Sequence, residues 1–162
     1  MQILLLRHGL AADRAPSGRD ADRPLTAEGA KKLRLVLAVA KTGGAAPSLI
    51  LSSPYRRAWE TAEIAASVLG YTKEIVPCAA LTPGGDAEAV WQELRGRRDE
   101  TQILLAGHEP LFSTLTAYLL DAPTLVVDFK KGALVRVDTQ SFGPSPRCEL
   151  RWMLTPRLCQ GE

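Results

Sequence analysis

The sequence predicts an α/β fold, a three-layer αβα sandwich whose central sheet is mostly parallel with an antiparallel strand, formed by residues 1–162 as a single domain. Three observations carry that expectation. Short aliphatic runs appear without polar alternation, as strands buried on both faces do. Each run is followed by a segment with helical apolar spacing, and two late strand-like runs have no helix between them. A chain of 162 residues that is 46% hydrophobic and 23% charged suits one core of ordinary size and excludes a disordered tail or a disulfide-held miniprotein.

Gln2 to Leu6 is the first buried strand, and residues 9–24, polar and without apolar period, form a long loop of the functional kind. Thr26 caps a helix whose Leu33, Val36, Leu37 and Ala40 make one apolar stripe, ending at Gly43 and Gly44. Ser48 to Leu51 is the second strand. Ser53 as N-cap and Pro54 at the first helical position open the next helix, with Ala58, Ala62, Ala65 and Leu69 recurring until Gly70.

A third strand around Glu74 to Val76 leads through Leu81-Thr82-Pro83-Gly84-Gly85 to Asp86, an N-cap candidate for a helix carrying Val90, Trp91 and Leu94. Gln102 to Ala106 is the next buried strand, and Pro110 suits the first turn of a helix bearing Phe112, Leu115 and Leu119. Ala133 to Val137 and Cys148 to Leu154 read as strands able to pair antiparallel across residues 140–147. Trp59, Trp91 and Trp152 sit within apolar periods and belong in or beside the core.

Twenty Lys and Arg against eighteen Asp and Glu leave a net charge of +2, too balanced for a nucleic-acid partner and with no docking patch visible. The longest aliphatic stretches, Ile3 to Leu6 and Ile103 to Ala106, are far below the roughly 20 residues of a membrane span. Arg7 and His8 follow the first of them, unlike a secretory leader, so a cytoplasmic protein with no membrane partner is expected. Cys78, Cys148 and Cys159 are odd in number and widely spaced, which favours reduced thiols over disulfides or a zinc site. With only two histidines, a metal site made wholly of protein ligands is poorly supplied, and chemistry without a cofactor is expected.

In open α/β sheets ligands bind beyond the carboxyl ends of the strands. Three corners are polar there: Arg7-His8-Gly9, Ser52-Ser53-Pro54-Tyr55-Arg56-Arg57 and Gly107-His108-Glu109-Pro110. Both histidines of the chain lie at such ends. Guanidinium forks match phosphate oxygens, so Arg7 and Arg57 read as an anion clamp, the second in a first helical turn where the helix dipole also favours an anion. Arg57 could instead be a solvated charge paired with Glu60 or Glu63.

Leu5-Leu6-Arg7-His8-Gly9, then Ser53-Pro54-Tyr55-Arg56-Arg57-Ala58 with Thr61-Ala62, then Gly107-His108 resemble the histidine phosphatase, or phosphoglycerate-mutase-like, superfamily. With Arg23-Pro24-Leu25-Thr26 and Leu81 to Asp86 between them, the motifs cover roughly residues 1–120, and the short length is most similar to the SixA-type phosphohistidine phosphatases. The resemblance implies that His8 is the nucleophile, forming a phosphohistidine intermediate that water hydrolyses, and that Arg7, Arg57 and His108 cradle the phosphoryl oxygens without a metal. It also implies a bell-shaped pH profile, with His8 neutral and His108 charged beside the phosphate.

The larger relatives protonate their leaving group with a glutamate. Here Asp86 is the one carboxylate in the corresponding segment, and it serves equally well as a helix cap. Asp20, Asp22 and Arg23 read as a solvated loop pairing with one another, with the pocket entrance as the alternative. The expected substrate is a phosphohistidine-bearing protein of a phosphorelay, such as a histidine-phosphotransfer domain. A small-molecule phosphomonoesterase is the alternative enzyme, and a phosphoprotein-binding module without turnover is the alternative of another class.

Overall fold

The computed structural model describes residues 1–160. Along the chain come β1 (Gln2–Arg7), α1 (Ala27–Thr42), β2 (Leu49–Ser52), α2 (Arg56–Leu69), β3 (Val76–Pro77) and α3 (Ala87–Arg95). They are followed by β4 (Gln102–Gly107), α4 (Leu111–Leu119), β5 (Leu134–Asp138), β6 (Glu149–Leu154) and α5 (Pro156–Cys159). The six strands form one sheet in the order β3-β2-β4-β1-β5-β6. The first four are mutually parallel, whereas β5 runs antiparallel to β1 and β6 antiparallel to β5. The predicted mixed sheet is therefore present, with its antiparallel strands at one edge.

The continuous apolar runs are explained by the two layers that cover the sheet. Ile3, Leu5, Ile103 and Leu105 pack on one face against Trp91 and Leu94 of α3 and Phe112 and Leu115 of α4. Leu4, Leu6, Ile50 and Leu104 pack on the other against Leu33 and Leu37 of α1 and Ala62 and Ala65 of α2. Neither face of β1 or β4 meets water, so neither alternates. Trp91 is fully buried, while Trp152 lies half-buried beside the second cluster.

Helix starts differ from expectation in two places. Thr26 does cap α1, accepting from the Gly29 amide at 3.0 Å, and Asp86 caps α3, accepting from the Ala89 amide at 2.9 Å. The N-cap of α2, however, is Tyr55 rather than Ser53, and it makes no side-chain cap bond. Ser53 is turned instead toward His108, as described below. Pro110 is likewise the N-cap of α4 and not its first helical residue. The third strand is displaced to Val76–Pro77 and pairs at only two positions, an edge location where the missing proline N–H is tolerated.

The long loop after β1 is strapped to itself. Ala11 bridges Leu25, the Ala12 amide donates to Pro24, and a 3-10 turn forms at Asp20–Asp22. Gly29 lets α1 close on this segment, since a Cβ there would stand 2.3 Å from the Leu10 carbonyl oxygen. Among the described residues no helix is long and apolar enough to cross a membrane.

Candidate active site

Strand pairing brings the three polar corners together. Arg7 of β1 is level with Gly107 of β4, and Ser52 of β2 is level with Ala106. The next residues along each strand, His8, His108 and Ser53, therefore emerge side by side at the carboxyl edge. The two imidazole centroids are 5.1 Å apart with the rings tilted by 56°. His8 is held on both flanks, its amide donating to Gly107 at 2.9 Å and its carbonyl accepting from Gly132 at 3.0 Å.

The hydrogen bonds of His8 fix its tautomer. Nδ1 lies 2.7 Å from the Gly9 carbonyl, which can only accept, so Nδ1 carries the proton. Nε2 is then the lone-pair nitrogen, and Arg57 Nε–H donates to it at 3.3 Å. Thr61 joins this arrangement to α2: its hydroxyl donates to the Arg57 carbonyl at 2.7 Å and accepts from the Gly9 amide at 3.2 Å. Burial, reinforced by the cations Arg57, Arg7 and Lys131 against the opposing bond to Gly9, lowers the His8 pKa to about 4. At neutral pH His8 is a neutral, immobilised base whose one unprotonated nitrogen, Nε2, accepts from Arg57 until a substrate takes its electron pair.

His108 is buried beside it. Its Nε2 is 2.8 Å from the Ser53 hydroxyl, which also accepts from the Tyr55 amide, while its buried Nδ1 has no partner among the described residues. When Ser53 donates to Nε2, Nδ1 is an N–H without an acceptor. Burial, with the neighbouring His8 and Arg57 acting in the same direction, lowers the His108 pKa to about 3. Both rings are thus neutral at pH 7 in the protein alone. An imidazolium at His108 requires an added negative charge.

Arg57 leaves α2 in its first turn and is only 5% exposed, with its guanidinium 5.2 Å from the Tyr55 ring. Its Nη1 donates to the Asp20 carbonyl at 2.9 Å and its Nη2 to the Asp20 carboxylate at 3.1 Å. The pairing with Glu60 belongs to Arg56 instead, at 2.7 Å. Arg7 donates from Nη1 to the Phe129 carbonyl, and its buried Nε has no partner among the described residues. Burial lowers the Arg7 pKa, opposed by Glu109 and Asp128, but a guanidinium stays charged over any working range.

All four residues singled out in the sequence, Arg7, His8, Arg57 and His108, therefore converge. Asp20, read as part of a solvated loop with the pocket entrance as the alternative, does both: it pairs with Arg23 at 2.8 Å and also reaches Arg57. Partial burial works to raise its pKa, but the bonds and charges of Arg23 and Arg57 outweigh this and hold it below the usual carboxylate range. Nothing in the local sequence marks that contact, which spans 37 residues. Asp22 does stay in the loop, bound to Arg19 at 2.7 Å. Asp86 is exposed, and its hydrogen bond is the cap of α3, not a contact with the histidines. Among the described residues no group of three or more His, Cys, Asp or Glu could hold a metal ion.

This arrangement can present a lone pair to an electrophile flanked by two guanidiniums and a second imidazole, the donors a tetrahedral oxyanion needs. Comparison with known proteins points the same way. A model of the histidine phosphatase superfamily (branch 1) matches residues 3–82. The chain is 30% identical over 158 residues to the phosphohistidine phosphatase SixA of Escherichia coli, covering 96% of this chain and 94% of that protein. It is 38% identical over 113 residues to an uncharacterised Picosynechococcus protein, covering 68% of this chain and 67% of the other. The solved structure of the protein histidine phosphatase SixA complexed with tungstate superposes with a TM-score of 0.85 at 28% identity, covering 98% of this chain and 99% of that one. The chain belongs to the histidine phosphatase superfamily.

Proposed function

We propose that this protein is a phosphohistidine phosphatase that removes phosphoryl groups from a signalling protein through a covalent intermediate on His8. The observation that carries the reading is the His8 tautomer: Nδ1–H is committed to the Gly9 carbonyl, so Nε2 offers its lone pair beside Arg57. In the first step Nε2 bonds to phosphorus as the P–N bond to the substrate imidazole breaks. The departing imidazole keeps that electron pair and leaves neutral when its other nitrogen is already protonated. In the second step water attacks phosphorus, the Nε2–P bond breaks, and His8 regains its lone pair as phosphate leaves.

Arg7 and Arg57 match the equatorial oxygens of the transition state, and the unpartnered Arg7 Nε and His108 Nδ1 are the donors that a phosphoryl group would satisfy. The dianion also supplies the charge that would draw a proton onto His108. The tungstate bound by the SixA structure is a tetrahedral oxyanion of the same kind. Asp20, the carboxylate bonded to Arg57, is held ionised by Arg23 and Arg57 and so is a poor proton donor at neutral pH. That favours a phosphoramidate over an alkyl phosphate, whose leaving oxygen needs a proton. Three free thiols, Cys78, Cys148 and Cys159, suit a cytoplasmic setting.

The test is to incubate wild-type and His8→Ala protein, in EDTA, with a phosphorylated histidine-phosphotransfer domain and with a phosphomonoester, trapping acid-labile phosphoenzyme. Label on the wild type only, with faster turnover of the phosphodomain, is the expected result. Faster ester turnover would move the protein to the phosphomonoesterases. Phosphate binding that survives His8→Ala, with no label on the wild type, would make it a binding module.

A further inference from the structure

A groove of about 1040 Å³ adjoins the reacting centre on the β5 side of β1; His8, Arg57 and His108 do not line it. Arg7 and Gly9 belong to both, and the remainder is assembled from α1, the segment before β5, the end of β6 and α5. Its charged lining is one-sided: Lys32, Lys130, Lys131 and Arg157 join Arg7, against the single carboxylate Asp128. This is a basic patch that a net charge of only +2 does not disclose. Lys130 pairs with Asp128 at 2.8 Å, both side chains exposed, and Lys32 with Glu28. Lys131 and Arg157 form no ion pair among the described residues.

Between the cations the floor is apolar, with Leu10, Val127, Met153 and Pro156. Val126, in the lining, is 92% exposed, and its chain neighbour Leu125, outside the lining, is also exposed. A small phosphorylated molecule seated at His8 would leave those side chains in water. A protein surface would cover them, and acidic side chains on it would meet the cations.

We propose that this groove is the docking surface for the phosphorylated substrate protein, seating an acidic segment with apolar side chains that lies next to its phosphohistidine. The assignment rests on the phosphohistidine phosphatase reading above and adds to it the chemistry of the partner. Continuity through Arg7 means that a segment lying in the groove delivers a neighbouring phosphoryl group to His8. Of the groove's lysines, Lys131 alone contributes to the lowered pKa of His8, whereas Lys130 and Arg157 stand farther out in solvent. Exposed cations of this kind act chiefly on encounter rate and orientation, and their effect is screened by salt.

The test uses the charge reversal K130E/R157E, two exposed positions outside the cluster around His8, with K130Q/R157Q as a milder second variant. The probes are a histidine-phosphotransfer domain phosphorylated with phosphoramidate, chosen to carry Asp and Glu around its phosphohistidine, and free phosphohistidine. Reversal is expected to lower kcat/KM for the phosphodomain by about tenfold or more and flatten its salt dependence. Free phosphohistidine should stay within about twofold, because rim charges are screened from the buried centre. Lys substitutions at the domain's acidic positions should restore turnover by the reversed enzyme.

Unchanged turnover of the phosphodomain, or equal loss on both substrates, overturns the docking assignment while leaving the phosphatase reading intact. Binding of the phosphodomain to His8→Ala protein, measured by calorimetry with and without the reversal, separates the two ideas. Salt-sensitive binding abolished by reversal supports the groove even if wild type fails to turn the domain over, a failure that would overturn the catalytic reading alone. Binding indifferent to the reversal overturns the groove.

Discussion

On the β2-β4-β1 side of Arg7 the polar groups are buried and fixed: His8 is 6% exposed, His108 is 1% exposed, and Arg57 has a defined acceptor for each of its nitrogens. On the β5 side the cations stand in solvent, the Lys130 side chain at 64% exposure, and their ion pairs join near neighbours in the chain. The first arrangement excludes water, so each charge acts at full strength on whatever binds there. The second leaves each charge hydrated and worth little alone, so it can act only as a set. One wall of the cleft is thus built to stabilise charge as it develops, the other to attract and orient a partner.

That contrast ranks the effects of substitution. The largest expected in the clamp is Arg57→Lys, which keeps the charge but loses the planar fork that reaches His8 and Asp20 together. A loss of roughly 10²- to 10³-fold in kcat/KM is expected on both the phosphodomain and free phosphohistidine. Equal treatment of the two substrates marks a chemical role and sets Arg57 apart from the groove cations. A loss confined to the phosphodomain would place Arg57 with the docking surface and break the comparison.

Burial of His8 also has an energetic signature. Its pKa falls from 6.5 to about 4 on folding, so between those values the unfolded chain binds a proton that the folded protein refuses. The stability held above pH 6.5 is therefore lost as the pH falls toward about 4, by an amount on the order of 3 kcal/mol for this residue. His8→Gln should lose less stability between pH 7 and pH 4.5 than wild type, measured by urea unfolding at both. Parallel acid profiles would mean that His8 is no more desolvated than the groove side chains.

The same division explains what the sequence disclosed. Arg7, His8, Arg57 and His108 were legible because strand ends in an α/β sheet converge by register, so local motifs suffice to place them. Ser53 looked like a helix cap, which its type and the following proline both suggest; its partner is His108, 55 residues away, and only the β2-β4 pairing reveals it. The edge strand β3 slipped to Val76–Pro77 because two paired positions leave no face to impose a pattern. The groove was hidden more deeply. Its cations come from positions 32, 130, 131 and 157, and they meet only because β5 and β6 fold back beside β1, whereas a total charge of +2 averages them away.

Asp20 lies on the boundary between the two regimes, and the smallest expected effect belongs to it. Its side chain is 58% exposed, yet it neutralises a guanidinium that is almost entirely buried. An oxyanion arriving at Arg57 must displace this carboxylate or share its donors. Asp20→Asn removes the competing charge while keeping an oxygen able to accept from Nη2, so inorganic phosphate should bind about threefold more tightly, the modest gain expected of a solvated partner. Calorimetric titration at constant ionic strength reads this directly. Weaker binding in Asp20→Asn would show instead that the carboxylate's main task is to hold Arg57 in place, extending the fixed, buried side of the cleft outward into the loop.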